Sequence, residues 1–267
     1  MDSVGRIYVA DVGNSRIRLL TPSTLTPSIR PNGVVPNDSI VPTIQSGSWV
    51  SIYGSDLAGG TFSWNGDFPT TLGSVSVTIN GKLGYPSFVS PTQINLQAPD
   101  DTTIGSVPVV VQTPFGVATS TVRLAAYGPS FCLLGDGKHL AGEIPTPNGS
   151  GAYGGGTYDL VGPVGLFAFQ TRPVNPGETL ILYGVGFGPT IPQVKAGQAF
   201  VGAAPTVGPV SISIGGVPAT VAFSGITEAG LYQFNLLVPQ NAGSGDQAVT
   251  ATVNGVTTPA GLLVTVQ

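Results

Sequence analysis

One block of sequence occurs twice in this chain, and the recurrence limits what it can fold into. Gln93-Ile94-Asn95-Leu96-Gln97-Ala98-Pro99 returns as Gln233-Phe234-Asn235-Leu236-Leu237-Val238-Pro239. Val75-Ser76-Val77-Thr78-Ile79-Asn80-Gly81 returns as Val210-Ser211-Ile212-Ser213-Ile214-Gly215-Gly216, and Ile52-Tyr53-Gly54 as Leu182-Tyr183-Gly184. The matches keep their order, so the simplest cause is a duplicated unit of about 90–100 residues. A repeat of that length is a whole domain rather than one turn of a solenoid. A length of 267 residues suits two such domains, each with its own core.

The local pattern is that of strands. Val75-Ser76-Val77-Thr78-Ile79 and Ile212-Ser213-Ile214 alternate apolar and hydroxyl side chains, the period of a strand with one wet face. In Gly47-Ser48-Trp49-Val50-Ser51-Ile52-Tyr53-Gly54, an extended backbone sends Trp49, Ser51 and Tyr53 one way and Val50 and Ile52 the other. Asn80-Gly81 and Asn254-Gly255 adjoin such runs and predict tight hairpin turns, because both residue types accept positive φ. No window of helical spacing free of Gly and Pro stands out. Short strands with frequent turns indicate an all-β sandwich or barrel.

The boundaries follow. The first copy is placed at 37–127 and the second at 174–267. A Gly/Pro-rich connector at 128–173 lies between them, with Gly149–Gly156 its most flexible part. Val164–Phe169 is expected to form a strand within the connector. Residues 1–36 differ from both copies.

Composition narrows the function. Charged residues make up 8% and the formal net charge is −4, which gives no field to attract phosphates, so nucleic acid is not expected as a partner. No apolar run is long enough to span a membrane as a helix. With so little charge the surface is expected to rely on Ser, Thr, Asn and Gln, a composition that suits an extracellular or cell-surface protein. Met1-Asp2-Ser3-Val4-Gly5 is not a basic-then-apolar leader, so no signal peptide is expected within this sequence. The one cysteine, Cys132, forms no internal disulfide and no zinc cluster, and is expected to act as a small apolar residue.

Two stretches resemble known families. Gly5-Arg6-Ile7-Tyr8-Val9-Ala10-Asp11, running into Gly13-Asn14-Ser15-Arg16-Ile17-Arg18, resembles one NHL repeat, the unit of a propeller blade. One blade cannot close a propeller, so the resemblance implies the tail of a longer protein; the alternative is an unrelated hairpin. Residues 37–267 resemble an uncharacterised C-terminal domain family of large exported soil-bacterial proteins. The resemblance rests on Gly47–Gly54, on Val89-Ser90-Pro91-Thr92-Gln93-Ile94-Asn95 and on Gly230-Leu231-Tyr232-Gln233-Phe234-Asn235. Each half also resembles an IPT/TIG domain. The resemblance implies an all-β fold of two immunoglobulin-like β-sandwich domains in tandem, and it supplies no catalytic residues.

The candidate chemistry is sparse. In Thr61-Phe62-Ser63-Trp64-Asn65-Gly66-Asp67-Phe68, aromatic rings stand beside an amide and a carboxylate. Aromatic faces stack on the apolar side of a pyranose while Asn and Asp bond its hydroxyls, so Phe62, Trp64, Asn65 and Asp67 form the candidate ligand site. The alternative is that Phe62, Trp64 and Phe68 pack together on the core. The only histidine, His139, has Asp136 and Glu143 nearby in sequence, and these are the residues an esterase or glycosidase would use. No Gly-x-Ser-x-Gly elbow supports that reading, and no catalytic residue is assigned. Asp100, Asp101 and Asp136 lack the spacing of a calcium loop and are read as turn formers, so no metal and no cofactor is expected. Gln93/Asn95 and Gln233/Asn235 place paired amides on one strand face and are read as structural. The reading is a non-catalytic exported module for adhesion, spacing or polysaccharide binding, with polysaccharide or a cell-surface protein as partner. The alternative is a hydrolase with its site between the sandwiches.

Overall fold

The computed structural model describes residues 2–3, 6–20, 25–146 and 157–267. The Gly149–Gly156 segment therefore lies outside the described residues. Strands dominate; the only helical turn among the described residues is a 3-10 turn at Val12–Asn14. The chain is all-β, with two immunoglobulin-like β-sandwiches in tandem.

The first sandwich has two five-stranded sheets. One runs, in spatial order, Ser28–Pro36, Trp49–Ser55, Gln93–Gln97, Tyr85–Val89, Phe62–Ser63. The other runs Thr43–Gln45, Gly116–Ala125, Gly105–Thr113, Ser76–Ile79, Lys82–Leu83. Between them Val50, Ile52, Val77, Ile79, Ile94, Leu96 and Val109 are almost fully buried, while the alternate residues Ser76 and Thr78 stay partly exposed. The period-2 pattern thus does the sorting: one face is removed from water and the other remains wet.

The second sandwich repeats the plan. Its larger sheet runs Tyr158–Leu160, Gly142–Pro145, Thr179–Val185, Leu231–Leu237, Thr220–Glu228, Ala204–Pro205. The facing sheet is built on Val210–Ile214 and Gly245–Val253, with Val217–Pro218, Val256–Thr257 and Leu263–Val266 at their sides. Phe131, Phe187, Phe234 and Tyr232 fill its core with ring contacts. The registers match those of the first sandwich. Gln93 faces Tyr53 and Ile94 faces Ile52 in the first, and Gln233 faces Tyr183 and Phe234 faces Leu182 in the second.

Asn80 and Gly81 both have positive φ and join Ile79 to Lys82; Asn254 and Gly255 do the same between Val253 and Val256. These are the two-residue hairpin turns expected for Asn-Gly. The 128–173 stretch is not simply a bridge. It gives the second sandwich the strands Ser130–Phe131, Gly142–Pro145 and Tyr158–Leu160, and its Leu140, Ile144 and Val161 join that core. Val164–Phe169 is not a strand, however. It forms a turn and bends, with a positive φ at Gly165, and leaves Val164, Leu166 and Phe169 exposed.

Near the N-terminus, Ile7–Asp11 and Arg16–Leu20 form an antiparallel hairpin with five aligned pairs. Its Ile7, Tyr8, Val9, Ile17 and Leu19 are all exposed.

The sandwiches meet through polar contacts. Gln45, at the end of its strand, accepts a hydrogen bond from Gly188 N (2.6 Å) and donates to Gly188 O and the Tyr232 hydroxyl. Tyr232 also donates to Gly188 O. Trp49 Nε1 donates to Ala229 O (2.8 Å), and Gln97 Oε1 accepts from Gly197 N (2.9 Å). Asp38 accepts from Leu133 N, and burial holds its carboxyl above the usual range.

Candidate functional site

The aromatic stretch lies at the edge of the first sandwich's first sheet. Phe62 and Ser63 pair with Val89 and Phe88, and Trp64 N continues the ladder by donating to Ser87 O. Residues 62 and 64 therefore share one side of the strand. Neither packs into the buried core. Phe62 lies against Gly60 and Gly73 with 43% of its surface exposed. Trp64 is half-buried because two rings meet it edge-on: Trp49 at 5.5 Å and 75°, and Phe68 at 4.7 Å and 86°. Asn65 and Asp67 are exposed in the turn that follows, where Asp67 Oδ1 faces Asn65 N at 3.4 Å. The four predicted ligand residues thus come together on one exposed edge. Edge-to-face packing fixes the Trp64 ring, so a ligand that stacks there meets a surface already ordered.

Trp49 is the residue that sequence reasoning missed. Its ring braces Trp64 and its indole N–H ties the cluster to Ala229 of the second sandwich. One signal was available. Trp49 and Gln97 face each other across two strands, and the corresponding pair in the second sandwich is Thr179 and Leu237. The copies differ at both positions, and in the first sandwich both side chains make inter-sandwich hydrogen bonds.

The repeated amides are partnered locally. Gln93 Nε2 donates to Asn95 Oδ1 at 2.8 Å, and Gln233 Nε2 donates to Asn235 Oδ1 at the same distance. Ser51 adds hydrogen bonds to Asn95 and Asn37. On the same face the Arg30 guanidinium sits 4.4 Å from the Tyr53 ring centroid.

The alternative catalytic residues divide into two groups. His139 is buried, and its Nδ1 lies 2.6 Å from Asp136 Oδ2. That contact resembles the orienting pair of a hydrolase. The other ring nitrogen, Nε2, is 3.2 Å from the Asp246 carboxylate rather than beside a hydroxyl. Glu143 stands apart, accepting a hydrogen bond from the Tyr183 hydroxyl at 3.1 Å. Burial and the Glu143 charge push the Tyr183 phenol well above its ordinary range. His139 thus lies between the Asp136 and Asp246 carboxylates, where the turn at 136–139 meets the strand carrying Asp246.

The other aspartates form turns. Asp136 Oδ1 accepts from Lys138 N and His139 N, and Asp101 Oδ1 from Thr103 N. At Asp101 burial opposes ionisation. Hydrogen bonds from Asn80 and Thr103 and the Lys82 ammonium at 3.3 Å outweigh it and hold the carboxyl well below the usual carboxylate range. Desolvation, aided by the Asp38 charge, pushes the Cys132 thiol up to about 12. Among the described residues no three His, Cys, Asp or Glu side chains converge as a metal site. No helix among them is long and apolar enough to cross a membrane.

The fold defines the class of protein as a tandem of immunoglobulin-like sandwiches. Residues 37–124 match the family model of the IPT/TIG domain. A search of curated protein sequences gave no match. Among solved structures, the full extracellular region of plexin A4 is 14% identical with a TM-score of 0.31; the match covers 94% of this chain and 19% of that one. The Bacteroides ovatus mixed-linkage glucan utilization locus protein SGBP-B, in complex with a mixed-linkage heptasaccharide, is 13% identical with a TM-score of 0.37; the match covers 98% of this chain and 52% of that one. Domains 5-6 of the S-layer protein SbsC are 14% identical with a TM-score of 0.30, with 90% and 96% covered. The chain thus spans under a fifth of the plexin chain and about half of the SGBP-B chain.

Proposed function

We propose that this chain is a non-catalytic, exported polysaccharide-binding module in which Phe62, Trp64, Asn65 and Asp67 form the contact surface. One observation carries the reading: Trp64 stands outside the core, braced edge-on by Trp49 and Phe68, next to exposed Phe62, Asn65 and Asp67. Core packing does not account for that cluster. Ring faces beside neutral and acidic hydrogen-bonding groups suit a sugar, whose C–H face is apolar and whose edge bears hydroxyls. The low charge fits a neutral polymer. On this reading the two sandwiches arose by internal duplication, the 7–20 hairpin derives from an NHL-like blade, and the module works at the cell surface, where it also serves as a spacer.

Affinity electrophoresis through gels cast with soluble β-glucan, xylan, galactan or mannan tests this. The wild type should be retarded by at least one polymer. Trp64→Ala should lose most of that retardation, corresponding to about 1–2 kcal/mol for one stacking ring. Equal mobility of the two proteins in every gel would sink the proposal.

A further inference from the structure

Five Asn-Gly pairs occur in this chain, at 32–33, 65–66, 80–81, 148–149 and 254–255. In such a pair the next peptide nitrogen can reach the asparagine side-chain carbon, because glycine has no Cβ to crowd the approach and its backbone turns freely. The fold decides which pairs are free to do so. Asn148-Gly149 lies outside the described residues. Three of the other pairs are held. Asn80 Nδ2 donates to Asp101 Oδ2 at 2.9 Å and to Thr103 Oγ1 at 3.1 Å, and the Ile79–Lys82 pair closes its hairpin. Asn254-Gly255 is closed in the same way by Val253 and Val256. Gly33 is buried, with so little room that a Cβ there would collide with the Tyr53 carbonyl. In all three the asparagine has positive φ.

Asn65-Gly66 is held by none of these restraints. Both residues are exposed, and Gly66 sits in a bend rather than in a closed hairpin. Asn65 keeps the ordinary negative φ. Among the described residues its one hydrogen bond runs from the backbone N to Asp67 Oδ1, at 3.4 Å, which leaves the side-chain amide free to turn. The Gly66 N–H has no backbone partner, and the space beside the Gly66 Cα is open. Nucleophile and amide carbon are thus adjacent, unshielded and free to rotate toward each other.

We infer that Asn65 is a site of spontaneous deamidation, and that the reaction acidifies the contact surface around Trp64. The Gly66 peptide nitrogen gives up its proton and attacks Asn65 Cγ. The N–Cγ bond forms, the Cγ–Nδ2 bond breaks, and the amide leaves as ammonia with the proton returned to it. The product is a cyclic succinimide, which water opens. Addition at Cγ restores the main chain and leaves aspartate. Addition at the main-chain carbonyl leaves isoaspartate, with the chain running through the side-chain carbon. One water enters and one ammonia leaves, so nothing is oxidised or reduced. Either product replaces a neutral amide by a carboxylate two residues from Asp67 and removes both N–H donors of the amide. Isoaspartate also lengthens the backbone between Trp64 and Asp67. The modification stands on the local geometry alone; its effect on polymer binding rests on the polysaccharide reading above.

The test is to age the whole chain in mildly alkaline buffer made with oxygen-18 water and to map its peptides by mass spectrometry. The peptide carrying Asn65 should take up the heavy oxygen at least about tenfold faster than those carrying Asn80 and Asn254, the factor that ~1.4 kcal/mol of hairpin opening puts on a rate. The rate should rise with pH, because the attacking nitrogen must lose its proton. Gly66→Ala should slow it by crowding that nitrogen, and Asn65→Gln should slow it by requiring a larger ring. Asn65→Asp should begin where the aged wild type ends. It should run as one charge more negative in a gel without polymer, and any polymer that retards the fresh protein should hold it about three- to tenfold more weakly, the effect of one hydrogen bond. Uptake at Asn65 no faster than at Asn80 or Asn254 overturns the inference. Fast uptake that leaves the retardation of both the aged protein and Asn65→Asp unchanged overturns it too, since Asn65 would then lie outside the contact surface. A fresh protein that no polymer retards ends the polysaccharide reading, and the uptake rates by themselves then decide the modification.

Discussion

At the scale of single residues, Asp101 shows how one side chain joins local structure to solution behaviour. Its carboxylate gathers Asn80, Thr103 and Lys82, and so ties the Asn80-Gly81 hairpin to the loop after Pro99. Its folded-state pKa is depressed below the unfolded value of about 3.9. The group therefore stabilises the fold above that pH, and the contribution is lost as pH falls through 4 and below. Thermal melts should show Asp101→Asn less stable than the wild type at pH 7, with a shallower decline from pH 5 to pH 2. Parallel curves for the two proteins would show that Asp101 does not supply the acid limb. The sequence made some of this visible and hid the rest. Asp101 read correctly as a turn former from its place after Pro99. The role of Trp49 showed in the sequence only as a difference between the two copies, because its indole partner is a backbone carbonyl 180 residues away and no local pattern encodes such a contact.

At the scale of elements, alternation and turn chemistry were enough to find the strands. Val77 and Ile79 are buried with Ser76 and Thr78 outside, and both Asn-Gly pairs turn where expected. The misjudged element was Val164–Phe169. Its apolar content suggested a strand, but the backbone turns at Val164-Gly165, with Gly165 at positive φ, and bends through 166–169. The Gly/Pro-rich composition of 128–173 marked a connector that could pack on one domain, and short strands within it complete the second sandwich. Two glycines separate conformational from steric demands. Gly81 and Gly186 have φ near +75° and +81°. A Cβ at Gly81 meets nothing within 4 Å, while one at Gly186 would collide with the Gly128 carbonyl. Gly81→Ala should cost about 1–2 kcal/mol through backbone strain alone. Gly186→Ala should cost about 3 kcal/mol or more, because overlap with a backbone atom adds to that strain. Urea denaturation of the two variants measures the difference; equal midpoints would show that the close approach of 186 to 128 is readily relieved.

At the scale of the whole molecule, two cores are joined by a seam of amide and indole hydrogen bonds rather than by a shared apolar layer. The doubled plan was legible from the repeat, but the relative placement of the halves was not. It depends on Gln45, Trp49 and Gln97, whose partners at Gly188, Ala229 and Gly197 are backbone groups that carry no side-chain signature. The seam should make the two sandwiches tumble together. Replacing Gln45 and Gln97 with Ala should let them reorient separately, and NMR relaxation would show shorter correlation times for both halves while each keeps its own spectrum. An unchanged correlation time would mean that these glutamines do not hold the halves. The thiol of Cys132 bears on where such a molecule can work. With its pKa near 12, only about one molecule in ten thousand carries the sulfur as an anion at pH 8. Neither oxidants nor reductants then find much to act on, and no covalent cross-link has to form before the chain reaches its final shape. Durability rests on close packing, hydrogen bonds and ion pairs, none of which needs an oxidising compartment to form.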